Sequence, residues 1–349
     1  MNRIAWKGIR VRTRGRRGGW VVGLGAALLI AWAAGCSGEG SPTEPITGPD
    51  PGEEVEIPDE PFFGTASTIT QAEIQQLVTD IAHDSTLGRG SPSPELNEVA
   101  EYIAAVFAGA GLSPGGDDGG YLQWFQARTQ GEPFAPNVVG WIEGSDAELR
   151  DEFVVLSAHF DHLGGVDDGP GTDQIYNGAD DNASGTAAQL EIAEAVGAMD
   201  PPPRRSVIFL AASAEELGLR GSIYFLSYSQ FSPAAMIANV NLDMVGRGET
   251  NHVWMIRRTD SEIAAVALAV AAQHPELGLV PEDRPDDVFA QRSDSGAFIL
   301  KGIDALFYHS GLHPEYHQVS DEVDLLNTPK IEKDAKLGYW VAVELAGRP

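Results

Sequence analysis

Several short stretches of this 349-residue chain place carboxylates and imidazoles where apolar runs end. His159-Phe160-Asp161-His162 follows the run from Phe153 to Ala158, and Glu215-Glu216 comes shortly after Ser206 to Ala211. Asp243 closes the run from Met236 to Leu242. Asp180 and Asp181 sit together in Asn177-Gly178-Ala179-Asp180-Asp181-Asn182-Ala183-Ser184-Gly185, and Tyr316-His317 is followed four residues later by Asp321. Carboxylate oxygens and imidazole nitrogens are donors for divalent cations, and with no cysteine among them the mixture suits zinc. Each stretch alone has a plainer use. A strand-end histidine usually just satisfies a hydrogen bond, and paired acids before an alanine-rich run serve a helix start. Taken together they would bury too much unpaired charge in one crevice, and buried carboxylate clusters need cations. Strand alternation puts His159 and Asp161 on one face, so that Asp161 can orient the far nitrogen of His159.

The elements that must position these groups alternate along the chain. A capping box at Thr70-Gln71-Ala72-Glu73 opens a helix with Ile74, Leu77, Val78 and Ile81 on one face. Ser93, Pro94 and Gly111 frame a second helix. Strands are expected at Asn137–Ile142, Phe153–Ala158, Ser206–Ala211 and Met236–Leu242. Helical runs fall at about 183–198, 217–230, 260–273 and 330–346. Strands apolar on both faces, separated by helices, indicate an α/β three-layer sandwich with a mainly parallel central sheet. In such sheets ligands gather at the carboxyl ends of the strands, which is where these acids and histidines lie.

Ahead of this domain the composition changes. The first 35 residues carry seven cations and no acid, and the apolar run Trp20–Ala34 is shorter than the ~20 residues a membrane-spanning helix needs. This reads as an export signal, residues 1–35. The run ends in Ala33-Ala34-Gly35-Cys36, with Cys36 the only cysteine. The stretch resembles a bacterial lipobox, which implies lipidation at Cys36 and a place in the cell envelope. Residues 36–64, rich in Gly, Pro, Glu and Asp, form a solvated tether, and 65–349 form the folded domain. The net charge of −28 includes +7 from the first 35 residues, which leaves −35 on the rest. Such a surface repels nucleic acid and anionic lipid, so membrane contact is expected through the lipid at Cys36 alone.

The stretches quoted above, with Ala214-Glu215-Glu216-Leu217-Gly218-Leu219-Arg220-Gly221-Ser222 and Asn241-Leu242-Asp243-Met244, resemble in order the motifs of the M28 family of zinc peptidases. The resemblance covers roughly residues 95 to 345. It implies two Zn²⁺ bridged by Asp181, with His159 and Asp243 completing one site and Glu216 and His317 the other. Glu215 would be the general base and Asp161 the partner of His159, and the Asp181–Asn182 bond would be cis. Two zincs and three ligand carboxylates leave a charge of +1, which favours deprotonation of a water there. The implied activity is that of an aminopeptidase acting on peptides. A single-zinc glutaminyl-cyclase-like acyltransferase and a non-catalytic peptide-binding ectodomain are the competing readings. Ser295 departs from the family's Ser-Asp-His pattern. Roles for Asp180, Tyr308, His309 and His313 stay open, and His162 is read as supporting or surface.

Overall fold

The structure is a computed structural model that describes residues 66–128, 134–166 and 173–348. The expected export signal, Cys36 and the tether lie outside the described residues. In chain order the strands are β1 (Ser113–Pro114), β2 (Leu122–Gln126), β3 (Phe134–Ile142), β4 (Phe153–His159), β5 (Gly164–Gly165) and β6 (Ile175–Tyr176). They continue with β7 (Ser206–Ala212), β8 (Met236–Leu242), β9 (His252–Arg257), β10 (Val280–Pro285) and β11 (Asp304–His309). The helices are α1 (Gln71–Ile81), α2 (Pro94–Gly109), α3 (Gly185–Gly197), α4 (Arg220–Tyr228), α5 (Ile263–Gln273), α6 (Ser295–Leu300) and α7 (Thr328–Gly347).

Among the described residues, nine strands form one sheet in the order β1-β3-β7-β4-β8-β11-β9-β10, with β2 also pairing with β3. The central block β7-β4-β8-β11 is parallel, while β3 joins β7 and β9 joins β11 antiparallel. The sheet is therefore mixed, with a further parallel pair, β9-β10, at one edge. Burial on both faces is complete in the central parallel block, as its place in the middle of the sheet requires. Alternation sorts the side chains into two cores. Val154, Leu156, Val207 and Phe209 pack with α1, α2, α3, α5 and α7 on one face. Val155, Ile208 and Leu210 pack with Phe225 of α4 and Phe298 of α6 on the other.

The helix starts follow from local chemistry. Thr70 accepts from the Glu73 backbone amide, and its hydroxyl reaches the Glu73 carboxylate at 2.7 Å. The Thr70 amide turns instead to Glu191 on α3, 3.0 Å away, which ties α1 to the layer behind it. Ser93 caps α2 through the Leu96 amide, with Pro94 in the first turn. Strand β10, sequence Val-Pro-Glu-Asp-Arg-Pro, carries no apolar alternation. As an edge strand paired only with β9 it tolerates two prolines that a central strand could not.

Candidate metal centre

Strands β4, β7 and β8 run parallel and side by side, so their carboxyl ends deliver His159, Glu215-Glu216 and Asp243 to one place. The turn Ala179–Ser184 brings Asp181 to the same point before α3 begins, and its Asp181–Asn182 peptide bond is cis. The small residues of this turn have a packing reason. Asn182 Oδ1 accepts from the amides of Gly185 and Met244, at 3.0 and 3.1 Å, and its Nδ2 donates to the Leu242 carbonyl at 2.9 Å. The turn thus lies against the end of β8, and a Cβ on Gly185 would stand 2.2 Å from that same carbonyl. Gly178, at φ 54°, fits only without a side chain: its Cβ would meet the Asp181 carbonyl at 2.2 Å and the His162 ring at 2.5 Å.

Around this turn the donor atoms fall into two groups. His159 Nε2 lies 3.4 Å from Asp181 Oδ1 and 3.5 Å from Asp243 Oδ1. The other oxygen, Asp181 Oδ2, lies 3.1 Å from His317 Nε2 and 3.7 Å from His162 Nδ1. Glu216 Oε1 completes that second group, 3.4 Å from His317 and 3.1 Å from His162. Donors bound about 2.0–2.1 Å from a tetrahedral zinc stand roughly 3.3 Å from one another, so both groups fit the ion. The sites also hold buried atoms in want of a partner: Asp243 Oδ1, Glu216 Oε1, Asp161 Oδ2 and both ring nitrogens of His162 make no hydrogen bond.

The electrostatics are those of acids crowded around too few cations. Burial opposes charge on His159, yet Asp243 and Glu215 hold its imidazole well above the ordinary value. His317 is lifted to about 10 by the carboxylates of Asp181 and Glu216 that face its Nε2, with burial opposing. Against burial, the surrounding histidines draw Asp181 well below the usual carboxylate range and Glu216 down to about 2. Glu215 goes the other way: burial, then Asp294, Asp243 and Glu216, push it well above its ordinary value, with His159 opposing. Two neighbouring glutamates thus differ sharply, and only one of them joins the converging donors. Backbone strain gathers at the same place. Ala214, Met244 and His317 are left-handed at φ 55°, 56° and 57°, each being or adjoining a residue of the centre.

All five ligands read from the sequence come together here, as does Glu215. Asp161 accepts the Glu215 amide at 3.1 Å, and its carboxylate lies 3.7 Å from His159 Nδ1. The nearer contact of that nitrogen is the Asp161 backbone carbonyl, at 3.2 Å. His162, read as supporting or surface, is fully buried and enters the second group directly. Asp180 does not cap α3. Its carboxylate takes the Gly246 amide and Ser184 hydroxyl and faces His313 Nε2 at 3.2 Å. Asp321 Oδ2 accepts the amides of both Asp180 and Asp181 at 3.0 Å, which fixes the turn from the loop that carries His317. His309 holds the Asp243 carbonyl at 2.9 Å. Tyr308 packs in the core, and the Ser295 hydroxyl is committed to the Ala290 carbonyl at 2.8 Å.

Arg89 had no signal in the sequence. Fully buried, it donates to the carbonyls of Ile81, Phe160, Asn177 and Gly178 at 2.5–3.2 Å, and so clamps the end of β4 to the start of the turn. Burial lowers its pKa to about 10, although Asp161, Asp181, Asp321 and Glu216 work to raise it.

Comparison with known proteins points the same way. Residues 137–338 match the model of peptidase family M28. An aminopeptidase of Bacillus subtilis, YwaD, is 33% identical over 222 residues, covering 58% of this chain and 42% of the relative, so the chain spans less than half of that protein. Among solved structures, the LapA aminopeptidase of Legionella pneumophila superposes with a TM-score of 0.65 at 22% identity, covering 81% of this chain and 74% of the other. A zinc aminopeptidase from Bacillus subtilis, BSAP, gives 0.64 at 15% identity, covering 80% and 96%. At these identities the two structures speak to the fold.

Proposed function

The chain belongs to peptidase family M28, and from that premise we propose that it is a zinc-dependent aminopeptidase with two metal positions sharing Asp181. The observation that carries this reading is the division of the Asp181 carboxylate, one oxygen toward His159 and Asp243, the other toward Glu216 and His317. The likeness to the aminopeptidase YwaD supports aminopeptidase action, and the donor set suits zinc. When bound, the ions would supply Lewis acidity toward the scissile carbonyl and bring a water's pKa toward ~7.

The residues of the chain do the rest. Glu215 is held at the rim by its own amide on Asp161 and by the left-handed turn at Ala214, and it is partly open to solvent. It accepts the proton of the attacking water and returns it to the leaving amine. Asp161 and His309 keep His159 and Asp243 in place through the contacts described. The basic, apolar leader and Cys36 support lipid anchoring in the cell envelope, with peptides as substrates and no role for nucleic acid.

Three measurements test this. Zinc content of purified 37–349 should be two per chain, and a panel of free-amine and N-blocked peptides should show cleavage only where the amine is free. Cleavage of blocked peptides alone would sink the aminopeptidase reading. Glu215→Gln should keep the metals while turnover drops by about 10²–10⁴-fold. Near-normal turnover would remove Glu215 from the mechanism.

A further inference from the structure

Resting on that two-metal reading, the geometry points to a fourth protein donor, His162, at the second metal position, which makes the two positions unequal in kind. Its Nδ1 and the Nε2 of His317 approach the same two oxygens, Asp181 Oδ2 and Glu216 Oε1, at 3.7 and 3.1 Å and at 3.1 and 3.4 Å. Those four separations are scattered about the roughly 3.3 Å edge of a tetrahedron drawn around a zinc ion.

A simpler role would have His162 donate a hydrogen bond to Glu216 and so orient it. Two observations oppose this. Although Nδ1 is 3.1 Å from Glu216 Oε1, neither atom is hydrogen-bonded. Lone pairs that converge on a shared centre stand in this relation. A fully buried histidine with neither ring nitrogen hydrogen-bonded is also rare unless a ligand completes it. The backbone holds the ring in place: the His162 amide donates to the Arg89 carbonyl at 3.3 Å, and Gly178 leaves the ring its space.

The consequence is a division of labour. His159, Asp181 and Asp243 give the first position three protein donors, the number that catalytic zinc sites use to keep one place open. His162, Asp181, Glu216 and His317 give the second position four, the number of a closed structural site. An ion held by all four would fasten the loop carrying His317 to the end of β4, and the first position would be the more open of the two.

X-ray absorption on the zinc-loaded full-length protein tests this without mutation. The expected result is three imidazoles per two zincs; two per two zincs overturns the assignment. In titrations followed by metal analysis, His162→Ala and His162→Gln should both keep one ion and bind the second about 100-fold or more weakly. The Gln variant can still donate to Glu216, so full recovery of the second ion in His162→Gln means orientation alone and refutes ligation. A wild-type stoichiometry of one refutes the two-metal reading, whereas two ions with unaffected variants refutes only the role of His162. Thermal melts in chelator show whether a variant has kept its fold.

Discussion

Replacing Arg89 with methionine should destabilise the metal-free domain by about 3–9 kcal/mol. The guanidinium donates to four buried backbone carbonyls, and a hydrogen bond from a charged group contributes roughly 1.5–3 kcal/mol, which gives about 6–12 gross. Against this stands the cost of burying the charge. A pKa lowered from 12.5 to about 10 corresponds to about 3 kcal/mol at ~1.4 per pH unit. The carbonyls win, and the methionine leaves them facing a side chain that cannot donate. For a domain of this size the melting temperature in chelator should fall by about 6 °C or more. Arg89→Lys, which keeps the charge and up to three donors but not the fork, should lose about half as much. Urea denaturation of the three proteins in chelator is the assay. A methionine variant within about 1 kcal/mol of wild type would show that water satisfies these carbonyls and would falsify the clamp.

Other outcomes follow from the same geometry. Asp321→Ala strands the buried amides of Asp180 and Asp181, so urea midpoints should report about 2–4 kcal/mol lost, with Asp321→Asn recovering much of it. Gly178→Ala forces a Cβ onto the Asp181 carbonyl and the His162 ring at a left-handed φ, and soluble yield and metal content should both collapse. Glu191 is buried on α3 among Glu73, Glu194 and Glu332, and burial first, then those charges, push it up to about 8. Its folded pKa lies above its unfolded value of about 4.3, so the stability it lends is present below that value and lost as pH rises through 8. Glu191→Gln can still accept the Thr70 amide and should remove this slope, gaining about 2–4 kcal/mol at pH 9 in melts run from pH 5 to 9.

How much was legible varied with the range of the cause. Strand β11 went unannounced, but β4, β7, β8 and the capped helices are announced within a few residues of themselves, by apolar runs and by Thr70, Ser93 and Pro94, and they were placed nearly to the residue. Edge strand β10 was not, because pairing on one side imposes no apolar pattern. That His159, Asp181, Glu216, Asp243 and His317 converge was legible because they lie at strand ends or in turns inside motifs that a family shares. That His162 is buried rather than at the surface was not legible, for a related reason. It stands three residues from His159 in an ordinary-looking sequence, and only the packing of Gly178 turns its ring toward Glu216.

By itself, the sequence determined the α/β class, the order of the elements and a supply of carboxylates and imidazoles larger than burial could tolerate without cations. These depend on periodicity and charge, which are properties of the chain read in one dimension. The tertiary structure decided which oxygen of Asp181 faces which group, that Asp321 and Arg89 hold the turn from 140 and 88 residues away along the chain, and that His162 belongs to the centre. Those facts reside in distances of a few ångströms between residues remote in sequence, and such distances exist only once the sheet has set its strand ends side by side.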